Sequence, residues 1–227
     1  MTISESLKRR IPGKLKVFLK STYYCYRWVY ARLILLSPGT RLKIYRLRKM
    51  KPLKLNIGSG QANLAGWVNI DIAPGADLVV DIRRGLPFED NSADFVYCEH
   101  VIEHFTPKEG QAALTEFRRC MRKGGVLRIA TPDLDHIIQK YSADWKDQDW
   151  LSWPKHQFIE TKGQMVNIAF RSWGHKYLYN EEDLINQLER VGFTKINRCD
   201  MNKSNHVELC NLETRLDSRL VLEAEKE

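Results

Sequence analysis

A doubly wound α/β fold with a mostly parallel sheet is what the sequence predicts, and three observations predict it. From Leu53 onward, short apolar runs alternate with helical segments that carry their own start and stop signals. A glycine turn, Gly58-Ser59-Gly60, directly follows the first apolar run, and acids close the second and third at Asp71 and Asp81. The segment ahead of this differs in character. The chain therefore divides into a basic helical arm over residues 1–52 and an α/β domain over residues 53–227, with a long insertion at 133–174. A chain of 227 residues suffices for one substantial core plus an appendage.

The arm from Lys14 to Leu36 is helix-like: Leu15, Phe18 and Leu19, then Tyr26, Val29, Tyr30 and Leu33, recur at three- and four-residue spacings. Ser37-Pro38-Gly39 breaks the pattern, and a second short helix is expected over Arg41–Lys49. Strands follow at Leu53–Ile57, Val68–Asp71, Leu78–Asp81, Asp94–Cys98 and Val126–Ala130, apolar as in a parallel sheet covered on both faces. Before the last of these, Thr106 can cap a helix with Pro107 at its first position and Glu109 completing a capping box; Gly124 is expected to stop it. A helix over Glu181–Val191 has Asn180 as cap and Gly192 as terminator, and Phe193–Cys199 and Arg219–Glu223 form a terminal strand pair.

Charge separates the two parts. Residues 1–54 hold 15 Lys/Arg and one acid, Glu5, whereas the rest hold 21 Lys/Arg and 27 Asp/Glu, so the net charge of +8 conceals a basic arm on an acidic body. The five cysteines show no CxxC spacing, which argues against a disulfide framework or a structural zinc site and for a reducing, cytoplasmic setting. The opening MTISESLKRRIPGK leads into no unbroken apolar stretch of secretory type, and no run of about 18 apolar residues is present to span a bilayer.

In an open α/β sheet a ligand sits beyond the carboxyl ends of the strands, where the strand order reverses. The glycine turn falls there. Asp71, ending the second strand, can accept hydrogen bonds from both hydroxyls of a ribose, and Asp81, ending the third, can accept one from an adenine amino group. A dinucleotide fingerprint needs a third glycine, a helix N-terminus for pyrophosphate and an acid about 20 residues on. Here Gln61 follows Gly60, and the stretch from Ala62 to Val68 is too short for a crossover helix. The expected ligand has adenosine but no pyrophosphate, which S-adenosylmethionine satisfies and NAD does not.

Residues 53–200 resemble class I S-adenosylmethionine-dependent methyltransferases. LNIGSG is similar to the family's first motif, NID to its ribose acid, DIRRGLPFEDNSADFVYCEHVIEH to its adenine-to-fourth-strand block, and GGVLRIATPDL to its fifth strand. With GHKYLYNEEDLINQLERVGF, the whole is similar to a bacterial group of small methyltransferases, some associated with polysaccharide or secondary-metabolite pathways. The resemblance implies a seven-stranded Rossmann-like sheet and methyl transfer to an oxygen or nitrogen of a small-molecule or glycan-precursor acceptor. It places Asn56, Gly58, Ser59, Gly60, Asp71, Asp81, Ile82 and Glu99 against the cofactor. Asn56 departs from the pattern, standing where many relatives have Asp or Glu.

A methyl group on a sulfonium is already electrophilic, so alignment of the acceptor supplies much of the acceleration, and a hydroxyl acceptor also needs a base. His100 should sit beside the cofactor with Glu99, and His175 and Asp133 are the base candidates, a capping or structural role being the alternative for each. His100, Glu103 and His104 fall at i, i+3 and i+4, on one face if a helix starts there. That spacing can bind a divalent metal and resembles the ExxEH motif of ubiquinone-pathway and small-RNA O-methyltransferases. The expectation is nevertheless no metal, with these residues contacting cofactor or bracing the helix. Residues 133–174, with Trp145, Trp150, Trp153 and Trp173, read as a lid over an acceptor pocket or as a hydrophobic cluster closing the domain.

Three uses fit the arm. Residues 8–51, with Lys and Arg among tyrosines, can lie on an anionic membrane surface, at the inner face of a membrane. They can grip nucleic-acid phosphates, or pack over the cofactor pocket with solvated basic faces. Packing is favoured, and nucleic acid is disfavoured because neither an RNA-binding module nor an [ND]PP[YFW] motif is present. The rival to an enzyme is a non-catalytic adenosyl-ligand-binding or scaffold protein, followed by an RNA methyltransferase.

Overall fold

The computed structural model describes residues 22, 26 and 29–227, and its centre is a seven-stranded sheet of order β3-β2-β1-β4-β5-β7-β6. The strands are β1 (Lys54–Ile57), β2 (Val68–Asp71), β3 (Leu78–Val79), β4 (Ala93–Glu99), β5 (Met121–Thr131), β6 (Thr194–Arg198) and β7 (Leu220–Glu225). Neighbours are parallel except around β7, which runs antiparallel to both β5 and β6. The helices are α1 (Pro38–Leu47), α2 (Pro107–Cys120), α3 (Leu134–Ser142), α4 (Lys162–Arg171) and α5 (Glu181–Arg190).

Side-chain alternation gives the sheet two unlike faces. Leu55, Ile57, Val68, Ile70, Val96, Leu127, Ile129 and Leu222 join Leu114 and Phe117 of α2, Leu184 and Leu188 of α5, and Ile44 of α1 in the main core. The alternate positions carry a polar row in continuous register: Asn69 beside Asn56, then Tyr97, Arg128 and Glu223. Loops cover this face, with Leu64, Trp67, Leu209 and Leu212 packed on Phe95, Tyr97 and Val126. Apolar strands were expected on both faces; one face instead takes its partners from polar side chains and loops.

The crossover from β1 to β2 shows the consequence. Asn56 Nδ2 donates to Asn69 Oδ1 at 2.9 Å and to the Ala62 carbonyl at 3.0 Å, while Asn69 Oδ1 also accepts from the Leu64 amide at 2.7 Å. These bonds hold the loop where a crossover helix would otherwise satisfy its own backbone. At the other end of the row, Arg128 is fully buried and forks onto Glu213 at 2.7 and 2.9 Å, with Glu223 at 2.6 Å.

Several boundaries differ from expectation. Ser37-Pro38-Gly39 opens α1 rather than merely breaking the arm, since the Ser37 hydroxyl accepts from the Thr40 amide and Pro38 takes the first position. Residues 29–34 are helical, and most of the expected arm helix lies outside the described residues. The third strand stops at Val79, with Asp81 capping a short 3-10 turn, Ile82–Arg84. Gly124 does not stop α2: the helix ends at Cys120 and β5 begins at once. Gly125 beside it sits where a Cβ would lie 2.9 Å from the Arg122 carbonyl. The capping box of Thr106 and Glu109, and the Asn180 cap of α5, form as expected.

Candidate active site

The glycine turn closes tightly over the end of β2. The amides of Gly58 and Ser59 both donate to the Ile70 carbonyl, at 2.8 and 3.1 Å, and the Gly60 amide donates to Asp71 Oδ2 at 2.9 Å. Asp71 Oδ1 accepts from the Ala73 amide at 2.6 Å, so the carboxylate is fixed in place at the end of the turn. The two glycines have different work. At Gly58, with φ +69°, a Cβ would lie 2.1 Å from Val101 Cγ2, whereas at Gly60, with φ +54°, it would meet nothing within 4 Å. The first glycine lets the turn press against the segment after β4; the second leaves its backbone facing open space. Between them the Ser59 hydroxyl is buried without a hydrogen-bond partner.

Several expected site residues are committed elsewhere. Asn56 pins the crossover loop, so its amide is not directed at a ligand amino group. Asp81 is forked by Arg83 at 2.8 Å on each oxygen, which raises the Arg83 pKa, and the neighbouring Ile82 is buried. Glu99, expected at the cofactor, receives four hydrogen bonds from 214–218: the amides of Thr214 and Arg215 and the hydroxyls of Thr214 and Ser218, all between 2.7 and 3.1 Å. It clamps a late loop onto the sheet. Asp133 is likewise not a free base, because it caps α3 through the Asp135 amide at 2.9 Å and pairs with Arg198 at 2.9 Å. It lies at a polar cavity of about 420 Å³ with Asp135, His136, Gln139, Arg198 and Arg219, and no residue of the glycine turn borders that cavity.

The segment after β4 brings the histidines together by a route the spacing did not show. No helix starts at His100. Its φ is +51°, and a short 3-10 turn, Ile102–His104, follows. His100 Nδ1 still lies 3.2 Å from Glu103 Oε1, with its Nε2 3.5 Å from Asp217. Glu103 is fully buried; Oε2 accepts from the Thr131 hydroxyl at 3.1 Å, while Oε1 has no hydrogen-bond partner. Burial pushes this carboxyl upward, but His100 and His104 outweigh it and hold its pKa below the ordinary value.

His175 arrives from the far end of the insertion. Its Nδ1 is 2.8 Å from the Ala169 carbonyl, which only accepts, so Nδ1 carries the proton and Nε2 keeps its lone pair. Burial lowers its pKa, against an opposing pull from Ala169 and Glu103. One ligand-type atom from each of Glu103, His104 and His175 lies within 4.8 Å of the others. The insertion is a small helical unit with its own core of Ile137, Trp150, Met165, Ala169 and Leu178. Trp150 is therefore structural. Trp153 and Trp173 stay exposed, with the Trp173 ring tilted against His175 at 5.4 Å and His175 5.3 Å from His104.

Sequence reasoning missed the Arg128 ion cluster. Its one visible signal was an arginine inside the apolar run GGVLRIA. It also paired His104 with His100 rather than with His175, whose approach depends on the fold of the whole insertion.

Residues 55–129 match the profile of a family described as a methyltransferase domain. The chain has the Rossmann-like fold of class I S-adenosylmethionine-dependent methyltransferases. It is similar to a SAM-dependent methyltransferase of Archaeoglobus fulgidus at 16% identity, covering 82% of this chain and 94% of that one with a TM-score of 0.48. A SAM-dependent methyltransferase of Thermotoga maritima is similar at 15% identity, over 93% and 99% of the two chains, with a TM-score of 0.47. The phosphoethanolamine N-methyltransferase 2 of Haemonchus contortus, in complex with S-adenosyl-L-methionine, is similar at 14% identity over 84% and 53%, with a TM-score of 0.46. No curated protein matches the sequence.

Proposed function

We propose that residues 53–227 transfer a methyl group from S-adenosylmethionine to an oxygen or nitrogen of a small-molecule or glycan-precursor acceptor. The observation that carries this reading is the glycine turn, where Asp71 is fastened to the Gly60 amide and the neighbouring Ser59 hydroxyl is buried and unmet. A buried polar atom without a partner calls for one, and a ligand with a ribose diol and a polar amino-acid end suits both groups. The cofactor supplies an electrophilic methyl group. Asp71 accepts from the ribose hydroxyls, while Asp81 stays paired with Arg83.

The acceptor side is Glu103, His104 and His175, beside Trp173. With the cofactor bound, an acceptor placed here would take the methyl group through a lone pair and give up a proton. His175 suits proton acceptance, because its Nε2 lone pair is available; burial lowers its pKa, which favours the neutral ring. His100 positions Glu103 by its contact at 3.2 Å.

Calorimetric titration of S-adenosylmethionine and its demethylated product into wild type and Asp71→Ala tests the binding half. Micromolar binding lost in the variant supports it; no binding by folded wild type ends it. Methyl-labelled cofactor with fractionated small molecules tests the transfer half, and binding with no transfer to any fraction favours the non-catalytic rival.

A peripheral membrane role for the arm has its own support. Leu33, Leu36, Leu42 and Tyr45 are exposed among Arg32, Arg41 and Arg46, a composition suited to an anionic interface. Among the described residues no helix is long and apolar enough to cross a membrane. Sedimentation with phosphatidylserine vesicles but not with phosphatidylcholine vesicles is the expected result.

A further inference from the structure

We infer that Glu103, His104 and His175 bind a first-row transition-metal dication such as Zn²⁺ or Mn²⁺, and that this ion receives the acceptor's oxygen. The second half rests on the methyltransferase reading; the first does not.

The donor set is one carboxylate and two imidazoles, the combination that borderline dications select over Ca²⁺ or Mg²⁺. The three ligand atoms lie within 4.8 Å of one another. Bonds of about 2.0–2.2 Å to a shared ion would draw them together by a short side-chain movement. Two of the ligands already have the outer partners that orient metal ligands. Ala169 holds the Nδ1 proton of His175, which turns the Nε2 lone pair outward. Thr131 holds Glu103 Oε2, leaving Oε1 wholly buried and without a hydrogen bond. Its near neighbour is His100 Nδ1 at 3.2 Å, a contact without hydrogen-bond geometry, and a carboxylate oxygen so withdrawn from water favours a cation that completes it. His104 Nε2 stands 3.9 Å from this same oxygen.

Three protein ligands leave coordination positions open, as in catalytic rather than structural metal sites. The opening lies on the exposed side: the His104 side chain is 34% accessible, whereas Glu103 is sealed. Trp173, partly exposed and 5.4 Å from His175, lies next to it, its ring also in edge contact with Trp150, Trp153 and His156. The acceptor class that fits both is a hydroxylated ring, sugar or phenol, set against Trp173 with one hydroxyl on the ion. The balance is then complete. The hydroxyl proton passes to water, the oxygen pair forms the bond to the methyl carbon, and the carbon–sulfur pair leaves with the demethylated cofactor. Here His175 serves as ligand and is not the base.

The test uses full-length protein stripped of metal, titrated with ZnCl₂ by calorimetry and with Co²⁺ by visible absorption. One equivalent should bind, with cobalt bands typical of a nitrogen–oxygen site. His104→Ala, at a half-exposed position, and Glu103→Gln should abolish binding, and Thr131→Val should weaken it by about tenfold or more. No binding of Zn²⁺, Co²⁺ or Mn²⁺ by folded wild type overturns the inference, as does binding that survives both His104→Ala and His175→Ala. S-adenosylmethionine titrated into the same metal-free sample separates the failures. Cofactor binding without metal binding removes this inference alone, and metal binding without cofactor binding removes the methyltransferase reading while the site stands.

Discussion

Asn56 and Asn69 face each other across the β1–β2 register, and the 2.9 Å bond between their amides anchors the crossover that carries the glycine turn. Asn69→Leu should strand the buried Asn56 amide and the Leu64 N–H, at about 1–3 kcal/mol for each buried group left unmet. Urea unfolding should show a lowered midpoint. Cofactor affinity should fall too, because the loop between Gly60 and Trp67 loses its anchor.

Gly58→Ala should eliminate cofactor binding. The added Cβ meets Val101 at 2.1 Å, and the left-handed backbone at φ +69° costs about 1–2 kcal/mol in addition. Combining it with Val101→Ala should recover the steric part only. Thermal unfolding of the single and double variants separates the two contributions. An unaltered melting temperature for Gly58→Ala would show that the turn is looser than described.

Arg128→Met should cost about 3–5 kcal/mol, since it abandons Glu213 and Glu223 in a buried site. Adding Glu213→Gln and Glu223→Gln should return part of that loss. The two denaturation midpoints, compared side by side, check the order.

Glu109 offers a pH test on α2. The hydrogen bond from the Thr106 amide and the contact with Lys176 pull its pKa from 4.5 to about 2. A carboxylate depressed in the folded state stabilises above its unfolded pKa, and that contribution disappears as pH falls from about 4.5 to about 2. Glu109→Gln keeps the capping geometry without the charge. Wild type should therefore be the more stable above pH ~4.5, by less than about 1 kcal/mol for so exposed a group, with the difference vanishing near pH 2.

The strands and the two best-capped helices were legible because their signals are local: apolar runs, and caps such as Thr106 with Glu109 or Asn180 with Asp183. The glycine turn and Asp71 were legible for the same reason. The bonds of Glu99 to 214–218 were not legible because those partners lie more than a hundred residues downstream, and a carboxylate at a strand end looks the same whether it meets a ligand or Thr214. For Asp133 the capping alternative forms at α3, whereas its pairing with Arg198 leaves no trace in the triplet TPD. His104 and His175 met unforeseen, since their approach depends on how α3 and α4 pack around Trp150.

The insertion of β7 between β5 and β6 sets an order of assembly. Among the described residues β6 pairs with β7 alone, and the loop that Arg128 grips is joined to it by a contact spanning 85 residues. During synthesis, the half-sheet from β3 to β5 can therefore form while one of its faces is still bare. The polar row waits for the last strand to arrive before its charges are paired. Such late, long-range closure makes for slow folding and a transient need for shielding. A nascent chain halted before Leu220 should be the form that chaperones hold longest.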